Sequence, residues 1–307
     1  MQLPAAVVMV RPASFGFNPD TAPSFMFQRE ITETNRKEIE RRARMEFDIL
    51  AGRLRDAGVE VIIIEDKEDL NTPDAVFPNN WVSFHDDGTV VLYPMLAPSR
   101  RPERRRDIID KLQAQWFSVS RVVDLTHHEN KGRFLEGTGS VVFDHAERTA
   151  YANLSPRTNE EVLKELCGTI GYKPVTFRAV RQNGEGILHT DVMLSIGERF
   201  SVFCPESIPD ASARSSVFKS LEYANRHIIP IDFKQLDHFA GNVLQLSTKD
   251  GRSALVISTA ACLALRPEQR EAIQKFSKIV ESPLPLFESI GGGSARCMMA
   301  DVHLPRQ

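Results

Sequence analysis

The chain has 307 residues, 42% of them hydrophobic and 26% charged, with a formal net charge of -3. That composition belongs to a soluble globular protein with an ample core, and the faintly acidic balance excludes a generally basic polymer binder and gives no reason to expect a membrane surface. Small neutral or zwitterionic molecules are the default partners.

The opening LPAAVVMVRP is apolar for too few residues to read as a secretory leader, has no basic lead-in and runs into Arg11-Pro12, so it predicts a first β-strand. No run of roughly 18 apolar residues follows, which leaves no candidate membrane span. Residues 32 to 57 carry Ile39, Ala43, Phe47, Leu50 and Leu54 at helical spacing, and Gly58 stands as a C-terminal cap before the β-branched run VEVIIIE. This order of helix then buried strand returns in PERRRDIIDKLQAQW with RVVDL, SPRTNEEVLKELCGTIG with KPVTF, SARSSVFKSLEYANRH with IIPID, and RPEQREAIQKFSK with IVESP. Each unit is followed by a polar or glycine-rich stretch. Hairpin patterns come after those stretches in WVSFHDDGTVVLYP, SVVFDHAERTAYAN, VMLSIGERFSVFC and VLQLSTKDGRSALVIS, with Asp87-Gly88 and Asp250-Gly251 as turn signals.

The polar stretches are DAVFPNNW (74–81), FLEGTGS (134–140), ILHTD (187–191), FAGNV (239–243) and GGGSARC (291–297), at near-constant steps of roughly 50 residues. A fivefold repeat closed into a ring would carry all five to one end of a common axis and build one central site. The competing arrangement is an open doubly wound sheet, but no G-x-G-x-x-G or P-loop opens any helix to support its nucleotide-binding form.

Together the stretches hold a thiol, a histidine, two carboxylates and several amides, the inventory of nucleophilic catalysis by cysteine. Of the four cysteines, Cys167, Cys204 and Cys262 sit in apolar runs and read as core, and no spacing suggests a disulfide framework or zinc knuckle, so the chain reads as reduced and cytoplasmic. Cys297 instead follows small residues and Arg296, which would favour the thiolate. His127-His128-Glu129 lacks a third ligand at useful spacing and reads as a solvated loop. The basic run Arg100 to Arg106, interrupted by Glu103, reads as an exposed helix start.

These residues resemble the guanidine-modifying superfamily, the penteins, which includes arginine deiminase, dimethylarginine hydrolase and glycine amidinotransferase. The resemblance runs over essentially the whole chain and rests on Leu-Glu-Gly around Glu136, His-x-Asp from His189 to Asp191, and a late cysteine after a glycine-rich turn. The opening MVRPASFGFNPDTAPSFMFQ and the segments PNNW and FAGN look like the arginine deiminase-related, citrulline-utilisation hydrolases. The resemblance implies a single catalytic domain over residues 1–307 with the α/β fold of a five-bladed propeller of repeated strand-hairpin-helix modules. It implies Cys297 as nucleophile, His189 as general acid and base, Glu136 as a catalytic carboxylate that also faces substrate, and Asp191, Asn80, Asn18, Arg296 and Asn242 as substrate-binding residues. No metal and no organic cofactor is expected. The partner is a small ureido or guanidino amino acid, without nucleic acid or membrane, and a homodimer is left open.

One departure bears on the substrate. Arginine deiminases close the first polar stretch with an aspartate that grips a guanidinium, and here Asn80 stands in its place. A guanidinium offers only N–H donors, whereas a ureido group also presents a carbonyl oxygen to which an asparagine can donate. The reading is therefore hydrolysis of citrulline to ornithine, ammonia and carbon dioxide. Its alternatives are an arginine or methylarginine hydrolase of deiminase type, an amidinotransferase, and a catalytically silent binding protein on the same scaffold. A papain-like protease fits poorly, because the cysteine comes last and the repeat would go unexplained.

Overall fold

The structure, a computed structural model, describes residues 2–4, 6–21 and 33–307. In chain order its strands and main helices are β1 (Ala6–Arg11), α1 (Glu33–Asp56), β2 (Glu60–Glu65), β3 (Val82–Phe84), β4 (Thr89–Leu92), α2 (Asp107–Gln113), β5 (Arg121–Asp124), β6 (Val141–Asp144), β7 (Thr149–Asn153), α3 (Glu160–Ile170), β8 (Lys173–Phe177), β9 (Leu194–Ile196), β10 (Phe200–Phe203), α4 (Ala211–Tyr223), β11 (His227–Pro230), β12 (Leu244–Ser247), β13 (Ser253–Ser258), α5 (Pro267–Gln274), β14 (Lys278–Ser282) and β15 (Ala300–Val302). Among the described residues, no helix is long and apolar enough to cross a membrane.

Local chemistry explains the repeated unit. Helix α1 buries Ala43, Phe47, Leu50 and Leu54 on one stripe. It ends in a Schellman motif: Gly58 takes φ 84°, its N–H donates to Arg55 O at 2.9 Å, and Val59 N–H donates to Leu54 O at 3.0 Å. The chain then turns directly into β2, parallel to β1. Helix α3 starts on Asn159, whose side chain accepts from Glu161 N and Val162 N, and stops at Gly171 with φ 74°.

Five blades follow one rule. A first strand pairs antiparallel with a second, which pairs parallel with a third after a helical crossover: β3-β4-β5, β6-β7-β8, β9-β10-β11 and β12-β13-β14. The fifth blade is shared between the chain ends, β15 running antiparallel to β1 and β1 parallel to β2. It joins the first through the pair Val302↔Phe84, giving one six-stranded sheet. The result is the five-bladed α/β propeller expected from the sequence.

Each polar stretch immediately precedes the first strand of its blade, and neighbouring stretches are hydrogen-bonded around the axis. Thr138 Oγ1 donates to Asn79 O (3.3 Å), Thr190 Oγ1 to Ser140 O (2.6 Å), Asn242 Nδ2 to Asp191 O (3.2 Å), and Arg296 N–H to Asn242 Oδ1 (3.1 Å). The approach is close enough to require glycine at 137, where φ is +47° and a Cβ would lie 2.1 Å from Asn79 O. The basic run is not the exposed helix start expected. Pro98–Glu103 forms a 3-10 helix, Arg100 and Glu103 are buried against each other, and α2 begins only at Asp107.

Candidate active site

Cys297 lies in the 3-10 turn Ala295–Met298, its sulfur enclosed by neighbouring blades. The thiol donates to Asp191 Oδ2 at 3.5 Å, and Asn242 Nδ2 lies 3.3 Å from the sulfur. Burial pushes the thiol far above its ordinary pKa, and the Asp191 charge pushes it further. Burial likewise raises Asp191. That carboxylate also accepts from Asn79 Nδ2 at 3.2 Å, while its Oδ1 has no hydrogen-bond partner.

Opposite stands His189, whose Nε2 is 2.8 Å from Glu136 Oε2. Glu136 is fully buried and accepts from Leu96 N–H at 3.0 Å and from Arg157 Nη1 at 3.1 Å. Burial opposes its charge, but Arg157, His189 and Arg100 outweigh that and hold the carboxyl well below the usual range. An ionised carboxylate on one imidazole nitrogen fixes the ring's orientation and calls for a proton on Nε2. Gly139 admits this arrangement: a Cβ there would meet Asn80 Nδ2 at 2.5 Å and His189 Nδ1 at 3.0 Å.

Asn80 is buried with its amide polarised. Oδ1 accepts from Arg100 Nη1 at 2.7 Å, and Nδ2 has no hydrogen-bond partner. Arginine only donates, so the amide orientation follows from the chemistry of its neighbour. Asp74, Phe77, Asn80, Arg100, His189, Gly291–Gly293 and Cys297 line one cavity. A second opening, lined by Arg181, Gly186, Asp237 and Phe239 among others, also reaches His189 and Cys297.

Cys297, His189, Glu136, Asp191, Asn80 and Asn242 are thus brought together. Asn18 lies one layer back, donating from Nδ2 to Asp74 Oδ2 at 2.7 Å. Arg296 does not turn toward the cavities: its guanidinium donates to Met299 O at 2.7 Å and to Asp301 Oδ1 at 2.8 Å, and it borders neither opening. The thiol is therefore not acidified by it, and ready labelling of Cys297 near neutral pH is not expected of the ligand-free site. The third residue missing beside His127 and His128 arrives from α3 as Glu165, 2.8 Å from His128 Nε2. Sequence reasoning passed over Arg157, Asp74 and Asn79 and set Arg100 at the surface. The signal for Arg100 was its i,i+3 spacing to Glu103 behind Pro98.

The family model described as N,N dimethylarginine dimethylhydrolase, eukaryotic, matches residues 11–304. No curated protein matches the sequence. Among solved structures, the substrate-bound Cys-to-Ser variant of the N-terminal domain of ArgZ, an arginine dihydrolase from the ornithine-ammonia cycle in cyanobacteria, is similar at TM-score 0.72 and 17% identity, covering 96% of this chain and 96% of that one. AgrE with ornithine and NAD+ is similar at TM-score 0.73 and 18% identity over 98% of this chain, which spans 40% of AgrE. A His-to-Gly variant of dimethylarginine dimethylaminohydrolase, carrying an adduct with S-methyl-L-thiocitrulline, is similar at TM-score 0.64 and 16% identity, over 97% of this chain and 99% of that one. At such identities the likeness concerns the fold.

Proposed function

From the premise that the chain belongs to the N,N-dimethylarginine dimethylhydrolase family and is a hydrolase of C–N bonds other than peptide bonds, we propose that Cys297 attacks the central carbon of citrulline, giving ornithine, ammonia and carbon dioxide. The observation that carries the choice of substrate is the amide of Asn80. Its Oδ1 is engaged by Arg100, so what it presents is a buried, unpartnered N–H donor. A ureido oxygen satisfies that donor. A guanidinium would set N–H against N–H there, leaving a buried donor unpaired at about 1–3 kcal/mol. Asp191 Oδ1, the unpartnered acceptor, takes a ureido N–H.

The chemistry follows from the same contacts. A neutral substrate brings no positive charge to lower the thiol pKa, so the thiol proton leaves through the hydrogen bond to Asp191, which burial has made a stronger base. The thiolate adds to the ureido carbon, and His189, oriented by Glu136, acts as the general acid that gives a proton to the departing nitrogen as the C–N bond breaks. Water, deprotonated by the now neutral imidazole, displaces the sulfur from the thiocarbamate. The resulting carbamate loses carbon dioxide, and one water has been consumed per citrulline. Asp74, bordering the cavity with an unpartnered Oδ1, suits the α-ammonium.

A second reading, arginine as substrate, is favoured by the pair of buried carboxylates Asp191 and Asp74 with an unpartnered oxygen each. The variant Asn80→Asp separates the two. It retains an acceptor for Arg100 and so should fold, but faces the ureido oxygen with an anion. Citrulline kcat/KM should fall about tenfold to a hundredfold, at about 1.4 kcal/mol per factor of ten, while arginine turnover holds or rises. Measured on both substrates and on methylated arginines, a parallel fall or a wild-type preference for arginine sinks the citrulline reading.

A further inference from the structure

The first strand of every blade begins at the polar stretches and runs away from them, so the axis has a second end. In three consecutive blades the residue immediately after that strand is a histidine: His303 after β15, His85 after β3 and His145 after β6. The rings of His145 and His303 lie close together, centroids 3.8 Å apart and tilted by 30°, and the His85 centroid lies 6.1 Å from that of His145. Asp301 in β15 places Oδ2 3.2 Å from His303 Nε2 and 4.0 Å from His145 Nε2. We propose that His145, His303 and Asp301 form a binding site for a divalent transition metal of the Zn2+ type, with the ring of His85 beside it.

The spacing is compatible with a metal, although His303 Nε2 and Asp301 Oδ2 are also within hydrogen-bond distance of each other. Zinc–ligand bonds of about 2.0–2.1 Å at tetrahedral angles separate the donor atoms by roughly 3.3 Å. The His303 to Asp301 distance already has that value, and His145 needs to close by less than about 1 Å. Donor atoms of all three residues lie within 4.8 Å of one another. The outer partners are those that orient metal ligands. Tyr172 Oη is 2.8 Å from His145 Nδ1, so a proton on Nδ1 leaves the Nε2 lone pair for the ion. Ser83 Oγ holds His85 Nε2 at 2.8 Å, and His85 Nδ1 is a buried nitrogen with no hydrogen-bond partner. Arg296 holds the other oxygen of Asp301. Two imidazoles with one carboxylate suit Zn2+, Co2+ or Ni2+ rather than Mg2+ or Ca2+. A cavity lined by Gln2, His145, Ser195, Gln245 and Asp301 gives access.

The site is separate from the thiol, and bound metal would act structurally, tying blades across the axis and fixing Asp301 beneath Arg296. The test uses the full chain with Cys297→Ala and His127→Gln, which removes the Cys297 thiol and the exposed member His127 of the His127, His128 and Glu165 group. Titration with Co2+ should give one equivalent, with visible ligand-field absorption and no sulfur charge-transfer band. Adding His303→Gln should weaken binding about 100-fold or more, beyond what loss of an outer partner does. No binding, unchanged binding after His303→Gln, or a sulfur band overturns the proposal. Should circular dichroism show that the His303→Gln protein does not fold, X-ray absorption on the Zn2+ form of the double variant decides: two or more imidazoles per metal are expected, and fewer overturn it.

Discussion

Glu136 and Asp191 stand on neighbouring blades at the same depth of the same site, both fully buried, yet their surroundings differ in kind. Glu136 has both oxygens engaged, by Leu96 N–H, Arg157 and His189, and two arginines hold it ionised. Asp191 has a weak thiol and one amide on Oδ2, nothing on Oδ1, and is raised by burial. A satisfied carboxylate is a part of the scaffold that sets the angle of an imidazole. An unsatisfied one is an invitation to a ligand and a place to put a proton. The same residue chemistry thus serves orientation on the His189 wall and substrate contact on the Cys297 wall.

The largest expected effect tests that division directly. Glu136→Gln leaves Arg157 and the imidazole without their anion, and breaking a buried pair from one side costs about 3–5 kcal/mol. Both stability and turnover should collapse together. Asp191→Asn removes a charge that nothing strongly compensates, so its urea midpoint should hold or rise while citrulline kcat/KM falls at least about a hundredfold. Equal destabilisation by the two changes would abolish the distinction drawn between the walls.

A smaller effect sharpens it. Because the Asp191 charge adds to the rise of the Cys297 pKa, Asp191→Asn should lower that pKa and let iodoacetamide reach a larger thiolate fraction. In the wild type, alkylation of Cys297 should be slow at pH 7 and still climbing at the alkaline end of the accessible range. In the variant it should be faster at every pH below that, with Cys297→Ser as the blank. Cys167 and Cys204, each pushed up to about 11 by burial, should stay inert in both. A variant alkylated more slowly than wild type would mean that Asp191 activates the free thiol rather than suppressing it.

What the sequence revealed and what it hid divide along the range of the interactions. The five helix-strand units, the four hairpins and the recurrence of the polar stretches are local patterns, and they carried the propeller. The fifth blade was hidden, because β1 and β15 pair from opposite ends of the chain and no local signal links Ala6 to Val302. In the site, spacing within the repeat brought Glu136, His189, Asp191 and Cys297 to one place. Side-chain direction was not legible. Arg296 sits beside Cys297 in sequence but turns to Asp301, and Arg100, in a run that looks solvated, is buried against Asn80. The three histidines at the other end give no local signal, since His85, His145 and His303 lie far apart in sequence and meet only through the order of the blades.

The smallest effect concerns what lies behind the Cys297 wall. Glu46, on α1, accepts from Leu286 N–H at 3.0 Å, just before the π-helical turn Phe287–Gly291 that leads into the glycine run. Burial raises its pKa from 4.5 to about 7, against the help of backbone N–H groups and Arg42. An acid whose folded pKa lies above its unfolded value binds more protons folded than unfolded between the two. Its contribution to stability is full below about 4.5 and is lost as pH rises through about 7. Glu46→Gln removes that loss, so the variant should gain on wild type as pH is raised across this window and keep a constant difference above it. Glu136 offers no such titration, since it stays ionised throughout. Urea midpoints of both proteins measured across the window test this, and parallel curves would show that Glu46 is ionised in the fold and that the Cys297 wall is as firmly charged as its counterpart.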